Sequence, residues 1–307
     1  MKVSVIIPVY NAVHFLDKSI QSALDQRQTG EVLLIDDTST DGSWEKCMKW
    51  KGKDSRVKLY KNEGIKGAGA ARNVGLLNAT CAYIAFLDAD DYYLDGRFEE
   101  DEIQFKNNLN IDVIANSLTI LNKSKIITSG LNSIYSNNKV IGYNPSFSKI
   151  NINHIGNGNS FSIIGLTIKR EVFTTVGYFD ESMKQCQDTD LNIRLILMSN
   201  IYSGNYGKPV VVYYRHDTNS TMNIPEAVYY RRKAAKKHFH LAIRHKVKPL
   251  LILKFFKDFT EYDFLWVYGK NHRLKKYMKI TLIPFFLLRI FSKNDPEYDK
   301  DRKILLS

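Results

Sequence analysis

Short apolar runs alternate with stretches of helical periodicity through the first ninety residues. Residues 3–8 form one such run, and in the stretch that follows Phe15, Ile20, Ala23 and Leu24 fall on one helical face. Residues 32–35 are a second run ending in Asp36 and Asp37. The pattern then predicts a short helix over 43–50, a strand over 57–60, a helix over 68–78 and a fourth apolar run over 82–87 that ends in Asp88. Runs that are continuous rather than alternating suit strands buried on both faces, and strand–helix alternation suits parallel pairing. The expected class is α/β, a mainly parallel sheet flanked by helices. Ligands of such sheets collect at the carboxyl ends of the strands. Here those ends carry Tyr10, Asn11, Asp36, Asp37, Asp88, Asp90 and Asp91.

The pattern weakens beyond residue 110. Residues 111–158 are rich in Asn and Ser, with broken strand signals, and predict further strands with a mobile loop. A run over 162–168 precedes a helix near 170–176, a second helix is expected over 188–199, and a strand over 210–215. After Pro225 come helix-spaced Val228, Ala235, Phe239 and Ala242 with Arg and Lys around them. No internal repeat is present. The expected division is 1–225 for the α/β domain and 226–307 for a basic amphipathic helical region.

Charge sharpens that division. The chain has 307 residues and a formal charge of +12, yet residues 229–307 hold 20 Lys and Arg against 7 Asp and Glu. The basicity thus belongs to the tail, which suits an anionic surface. An amphipathic basic set of this kind fits a monotopic anchor on anionic lipid, or a helical subdomain whose apolar faces pack on the core. Cys47, Cys81 and Cys186 share no close spacing, which favours a reducing compartment over a disulfide framework or zinc cage. Met1 and Lys2 run directly into a strand, so no leader peptide is expected. The apolar run over residues 280–288 contains Pro284 and falls short of the roughly 20 residues a membrane span needs.

The acidic strand ends are the candidate chemistry. If residues 86–90 are extended, Asp88 and Asp90 project to one side. Two hard carboxylates with open coordination positions suit Mg²⁺ or Mn²⁺, although Asp-rich turns are also common. At the second strand end Asp36 or Asp37 can accept an imide N–H or ribose hydroxyls, while residues 38–41 read better as an Asx-type turn and helix cap. Residues 64–73 (G-I-K-G-A-G-A-A-R-N) are either a backbone approach to a ligand, with Arg72 beside it, or a glycine-rich entry to a helix.

The runs V-S-V-I-I-P-V-Y-N over 3–11, I-D-D over 35–37, G-A-G-A-A-R-N over 67–73 and F-L-D-A-D-D over 86–91, in that order, resemble family 2 glycosyltransferases of the GT-A fold. The resemblance covers residues 1 to about 220 and implies inverting transfer from a nucleotide diphospho-sugar, expected to be a UDP-sugar, with a divalent metal. It implies that Pro8 and Tyr10 line the nucleotide pocket, that Asp37 or Asp36 contacts the base, and that Arg72 lies alongside. Asp90 would be the direct metal ligand, with Asp88 at the ribose or in the metal's outer shell. Residues 187–191 (Q-D-T-D-L) are similar to the family's E-D-x-D-L motif, whose second acid is assigned as the base; Asp188 occupies that place, and Gln187 replaces the family's Glu. Asp190 reads instead as a stabiliser of the helix start. Tyr214, Arg215 and His216, with Ser220 behind, resemble the segment that closes the family's catalytic domain. His216 is a candidate third metal ligand or a satisfied polar residue.

The partners implied are a nucleotide-sugar, a glycan or lipid-linked acceptor of surface polysaccharide synthesis, and an anionic membrane at the cytoplasmic face. Nucleic acid is not expected, because the basic charge avoids the α/β domain and shows no docking motif. A nucleotide-binding partner subunit without catalysis is the other alternative.

Overall fold

A computed structural model describes residues 1–122, 125–129, 147–150, 162–205, 207–215, 224–247 and 252. Its first half follows the apolar runs closely: β1 (Val3–Val9), α1 (Leu16–Leu24), β2 (Thr29–Asp36), α2 (Ser43–Lys53), β3 (Val57–Lys61), α3 (Ala68–Asn78) and β4 (Tyr83–Phe86). Then come β5 (Tyr92–Tyr93), α4 (Glu99–Asn107), β6 (Val113–Ala115), β7 (Leu118–Asn122), β8 (Lys125–Ser129) and β9 (Lys149–Ile150). They are followed by β10 (Leu166–Lys169), α5 (Val172–Val176), α6 (Gln187–Met198), β11 (Ile201–Ser203), β12 (Val211–Arg215) and α7 (Ile224–Arg244).

The eight-stranded sheet runs β3-β2-β1-β4-β10-β6-β11-β9. Its first four strands are parallel, and β6 and β11 also pair in parallel. Against the simple alternation pattern, β10 enters antiparallel to both β4 and β6. Apart from Pro8, every residue of β1 is buried, as its unbroken apolar run requires for a strand covered on both faces. Strand order turns back at β1, flanked by β2 on one side and β4 on the other, which opens a crevice at the carboxyl ends of these strands. A second sheet, β5-β12-β7-β8, lies beyond β4 in the chain.

Two elements give the sequence no clear signal. Helix α4 has four acidic residues in its first turn and buries only Asp101 and Phe105. Asp101 is buried as an acceptor, taking bonds from Arg97 (2.9 Å), Asn116 and Thr167. Helix α7 begins at Ile224 and spans the expected boundary at 225/226. Its inward face buries Tyr230, Ala234, Ala235, His238, Phe239, Leu241 and Ala242, so between residues 230 and 242 the basic segment is packed on the α/β domain. No helix among the described residues is long and apolar enough to cross a membrane. Most of the loop expected within 111–158, and nearly all of the tail beyond 247, lie outside the described residues.

Candidate active site

Helix α3 assembles the site. Its entry residue Gly67 has φ of 143°, a conformation open to glycine alone, and its N–H donates to Asp37 Oδ2 at 2.8 Å. The other Asp37 oxygen accepts from Asn62 Nδ2 at 2.6 Å. Asp37 therefore fastens the glycine loop to the end of β2. Neighbouring Asp36 is buried and accepts from the Ser39 N–H at 3.3 Å, while its Oδ1 has no hydrogen-bond partner. In the first turn of α3, Gly69 faces Phe179 and Gln187; a Cβ there would sit 3.5 Å and 3.6 Å from theirs, at ordinary van der Waals contact. Asn73 exchanges hydrogen bonds with the backbone of Phe179. Arg72 is 4% exposed and donates to Asp88 Oδ1 at 2.6 Å, with its guanidinium 5.5 Å from the Phe179 ring. The end of β2, the end of β4 and the start of α6 thus meet around one helix.

The acidic segment after β4 departs from the extended geometry expected of it. The Asp91 N–H bonds the Asp88 carbonyl at 3.0 Å, closing a turn over 88–91. The two-residue alternation of a strand therefore does not apply, and the nearness of Asp88 and Asp90 comes from the turn. Asp91 emerges as a third member. It is buried, accepts the Tyr214 N–H at 2.8 Å through Oδ1, and leaves Oδ2 without a partner. Burial, then the charges of Asp88 and Asp90, push its carboxyl well above the ordinary value. The turn concentrates negative charge against one nearby guanidinium, and its donors are hard oxygens. Among the described residues no group of three or more His, Cys, Asp or Glu is placed to hold a metal ion by itself. The donor set fits a hard divalent cation that brings phosphate and water ligands of its own. His216 lies outside the described residues, as does Ser220; Tyr214 is tied to the acidic turn through Asp91.

At the carboxyl ends of β1 and β2, Pro8 lies in β1 beside Ile35. Tyr10 is 52% exposed, with the Lys66 ammonium 4.2 Å from its ring centroid. Residues 10–13 are laced to 39–43: the Ser39 hydroxyl accepts the Asn11 N–H, Asn11 Oδ1 accepts the Thr40 N–H, and Asp41 accepts the N–H groups of Val13 and Ser43. Asp41 makes the expected Asx-type bond to the Ser43 N–H, but the helix cap expected over 38–41 is absent, since α2 is entered from left-handed Gly42 with no side-chain cap. Asp188 is half-buried in the first turn of α6, where one oxygen accepts the Thr189 N–H. Asp190 is fully buried against Arg194 and Lys237, a structural place. Asn62, Lys66 and Lys237 are the residues that sequence reasoning passed over, while Asn73 and Asp91 stood within its motifs without a role of their own. For Asn62 and Asn73 a signal existed, since each is a lone amide bracketing the glycine-rich stretch.

The sequence profile of glycosyl transferase family 2 matches residues 4–165, more than half of the chain. The chain belongs to glycosyl transferase family 2. In Escherichia coli it is similar to the UDP-Glc:alpha-D-GlcNAc-diphosphoundecaprenol beta-1,3-glucosyltransferase WfgD, 39% identical over 127 residues, which are 41% of this chain and 49% of that protein. It is also similar to the putative teichuronic acid biosynthesis glycosyltransferase TuaG of Bacillus subtilis, 37% identical over 99 residues, 32% of this chain and 39% of TuaG. The chain spans about half the length, or less, of the curated relatives it matches. S. aureus TarS 1-349 in complex with UDP-GlcNAc superposes with a TM-score of 0.69 over 90% of this chain and 76% of that one, at 18% identity. At that identity the likeness speaks for the GT-A fold.

Proposed function

We propose that this family 2 protein transfers a sugar from a UDP-sugar to a hydroxyl of a glycan or lipid-linked acceptor, with inversion, in the synthesis of a bacterial surface polysaccharide. The observation that carries the reading is the convergence on α3 of Asp37, Asp88 and the turn that bears Asp188. The names of the relatives support the donor and acceptor classes: WfgD by its UDP-Glc donor and diphosphoundecaprenol-linked acceptor, TarS by its UDP-GlcNAc complex.

In this reading Pro8 and Tyr10 line the nucleotide pocket, and Asp36 or Asp37 receives the base. Arg72 holds Asp88 at the ribose edge. Asp90, with Asp88 and His216 as further candidates, would hold Mn²⁺ or Mg²⁺, which would neutralise charge on the departing diphosphate. Asp188 takes the proton of the acceptor hydroxyl. The acceptor oxygen forms its bond to the anomeric carbon from the opposite face as the bond to the diphosphate oxygen breaks, and that electron pair leaves with the nucleotide. The basic region over residues 226–307 brings the site to an anionic membrane at the cytoplasmic face.

The test is UDP release from a panel of UDP-sugars, with and without Mn²⁺, in the presence of a GlcNAc-diphosphate-lipid acceptor. Metal-dependent release that rises with acceptor is expected. UDP binding without turnover of any donor would make the chain a nucleotide-binding subunit and overturn the proposal.

A further inference from the structure

Asp188, the proposed base, sits on a helix turn with little holding it locally. The residue before α6, Cys186, is left-handed at φ of 61°, and no side chain caps the helix. A non-glycine residue in that region carries a strain that its surroundings must sustain. Two residues after Asp188, on the same turn, Asp190 is 0% exposed. Its Oδ2 accepts from Arg194 Nε at 3.0 Å and Nη2 at 2.8 Å. Arg194 in turn donates to the carbonyls of Val176, Gly177 and Tyr178. The second cation comes from the basic tail. Lys237 Nζ on α7 lies 3.0 Å from Asp190 Oδ1 and donates to Oδ2 at 3.1 Å. The same ammonium bonds Asp180 Oδ2 at 3.1 Å, and Lys233 reaches the Ser182 hydroxyl at 2.9 Å.

Asp180 and Asp190 thus face Arg194 and Lys237, with the charge of Lys233 acting on Asp180 as well. Burial alone would raise the Asp190 carboxyl, but Arg194 and Lys237 outweigh it and hold the group below its ordinary value. Burial of His238, whose Nε2 is 3.8 Å from Asp190, lowers that imidazole to about 4, so it is neutral near pH 7 and cannot stand in for the lysine. Without Lys237, Asp190 keeps Arg194 but loses its second cation, and an under-compensated buried carboxylate is relieved by moving toward water. Asp190 can move outward only by shifting its own turn, and Asp188 is on that turn.

We propose that Lys237 is a positioning residue for transfer: through Asp190 it fixes the first turn of α6, and with it the carboxylate of Asp188. The proposal rests on the reading of Asp188 as base. It gives the packed part of the basic tail a part in the chemistry, since a displacement of α7 would reach Asp188 through one ion pair.

The experiment uses the full chain with Lys237→Met, Lys237→Arg and Asp188→Asn, with Lys237→Gln in reserve should the Met variant not fold. Three measurements are compared: amide exchange by mass spectrometry, UDP affinity by calorimetry in Mn²⁺, and UDP release from the best donor of the panel. Lys237→Met should speed exchange over residues 186–191 by about tenfold or more while leaving β1 and β4 unchanged. UDP affinity and donor KM should stay within about twofold while kcat falls about tenfold or more. Lys237→Arg should restore both. Unchanged exchange over 186–191, or exchange raised alike throughout the chain, would overturn the proposal. If Asp188→Asn retains full turnover, the base reading fails, and the exchange data still decide whether Lys237 fixes the turn.

Discussion

Helix α3 carries the residues that gather the site, and its seat on the sheet is set by one missing methyl group. A Cβ added at Gly75 would fall 2.4 Å from Ile6 Cγ2, 3.1 Å from Cγ1 and 3.2 Å from Cδ1. Ile6 is fully buried in the centre of the sheet and, being β-branched, has no spare rotamer to offer. Gly75→Ala must therefore push α3 off β1 by about 1 Å, an overpacking cost of about 2–3 kcal/mol. Against that stands a helix-propensity gain of about 1 kcal/mol for Ala over Gly, leaving a net loss of about 1–2 kcal/mol. Ile6→Ala alone should cost about 3 kcal/mol through the cavity it leaves. In that background the clash is gone, and Gly75→Ala should become stabilising by about 1 kcal/mol, since only the propensity gain and some refilled cavity remain. Urea denaturation of the four proteins measures the cycle. A Gly75→Ala effect of the same sign in both backgrounds would refute the reasoning. The single variant should also weaken UDP binding, because the displaced helix takes Gly67 away from Asp37 and Arg72 away from Asp88.

Three further outcomes are expected. Asp90→Ala should abolish the Mn²⁺ dependence of UDP release while the thermal midpoint holds, as seen in metal titrations beside scanning calorimetry. Glu31, buried at the start of β2 under bonds from Lys58, Ser4 and Thr80, resists the upward push of burial and sits at about 2. Its contribution is complete above the unfolded value of 4.5 and is lost as pH falls toward 2. Urea midpoints should therefore show Glu31→Gln about 2–3 kcal/mol less stable than the parent at pH 7, discounting for the half-exposed Lys58, with the gap closing between pH 4.5 and 2. Truncation after Val247, which keeps α7 seated, should preserve the thermal midpoint yet end co-sedimentation with anionic vesicles. Each Lys or Arg near such a surface is worth about 1 kcal/mol, so high salt should weaken the binding of the full chain.

The parts of the fold that were legible are those whose apolar pattern matches one element at a time. The expected helix over 68–78 coincides with α3, and the ends of β1, β2 and β4 fall within a residue or two of the expected ones. Where polar burial replaces apolar periodicity the sequence is silent. Helix α4 buries Asp101 in place of a hydrophobic stripe, so its pattern resembles a solvated acidic stretch. The site was legible as strand-end acids, but not the arrangement of those acids. Nothing local to residues 88–91 distinguishes a turn from an extended run, and the bond from Tyr214 to Asp91 spans 123 positions. Lys237 was hidden for a similar reason. On a basic helix one lysine looks like the next until a buried carboxylate singles it out.

The antiparallel β10 has a consequence for how the chain is made. Strand β6 does not touch β4; the two are joined only through β10, which hydrogen-bonds each of them. The four parallel strands on the amino-terminal side are joined by short crossovers and can assemble from one another. The β6–β11–β9 half has no edge to dock on until residues 166–169 have left the ribosome. The edge of β4 is left unpaired for some eighty residues of synthesis, an open template for another chain's strand. Inserting a late strand between two earlier ones is a pairing of high contact order, of the kind that slows folding. Thr167, at the centre of that strand, pairs with Ala85 on one side and Ile114 on the other, and its hydroxyl bonds the buried Asp101. That one residue is the keystone that closes the sheet.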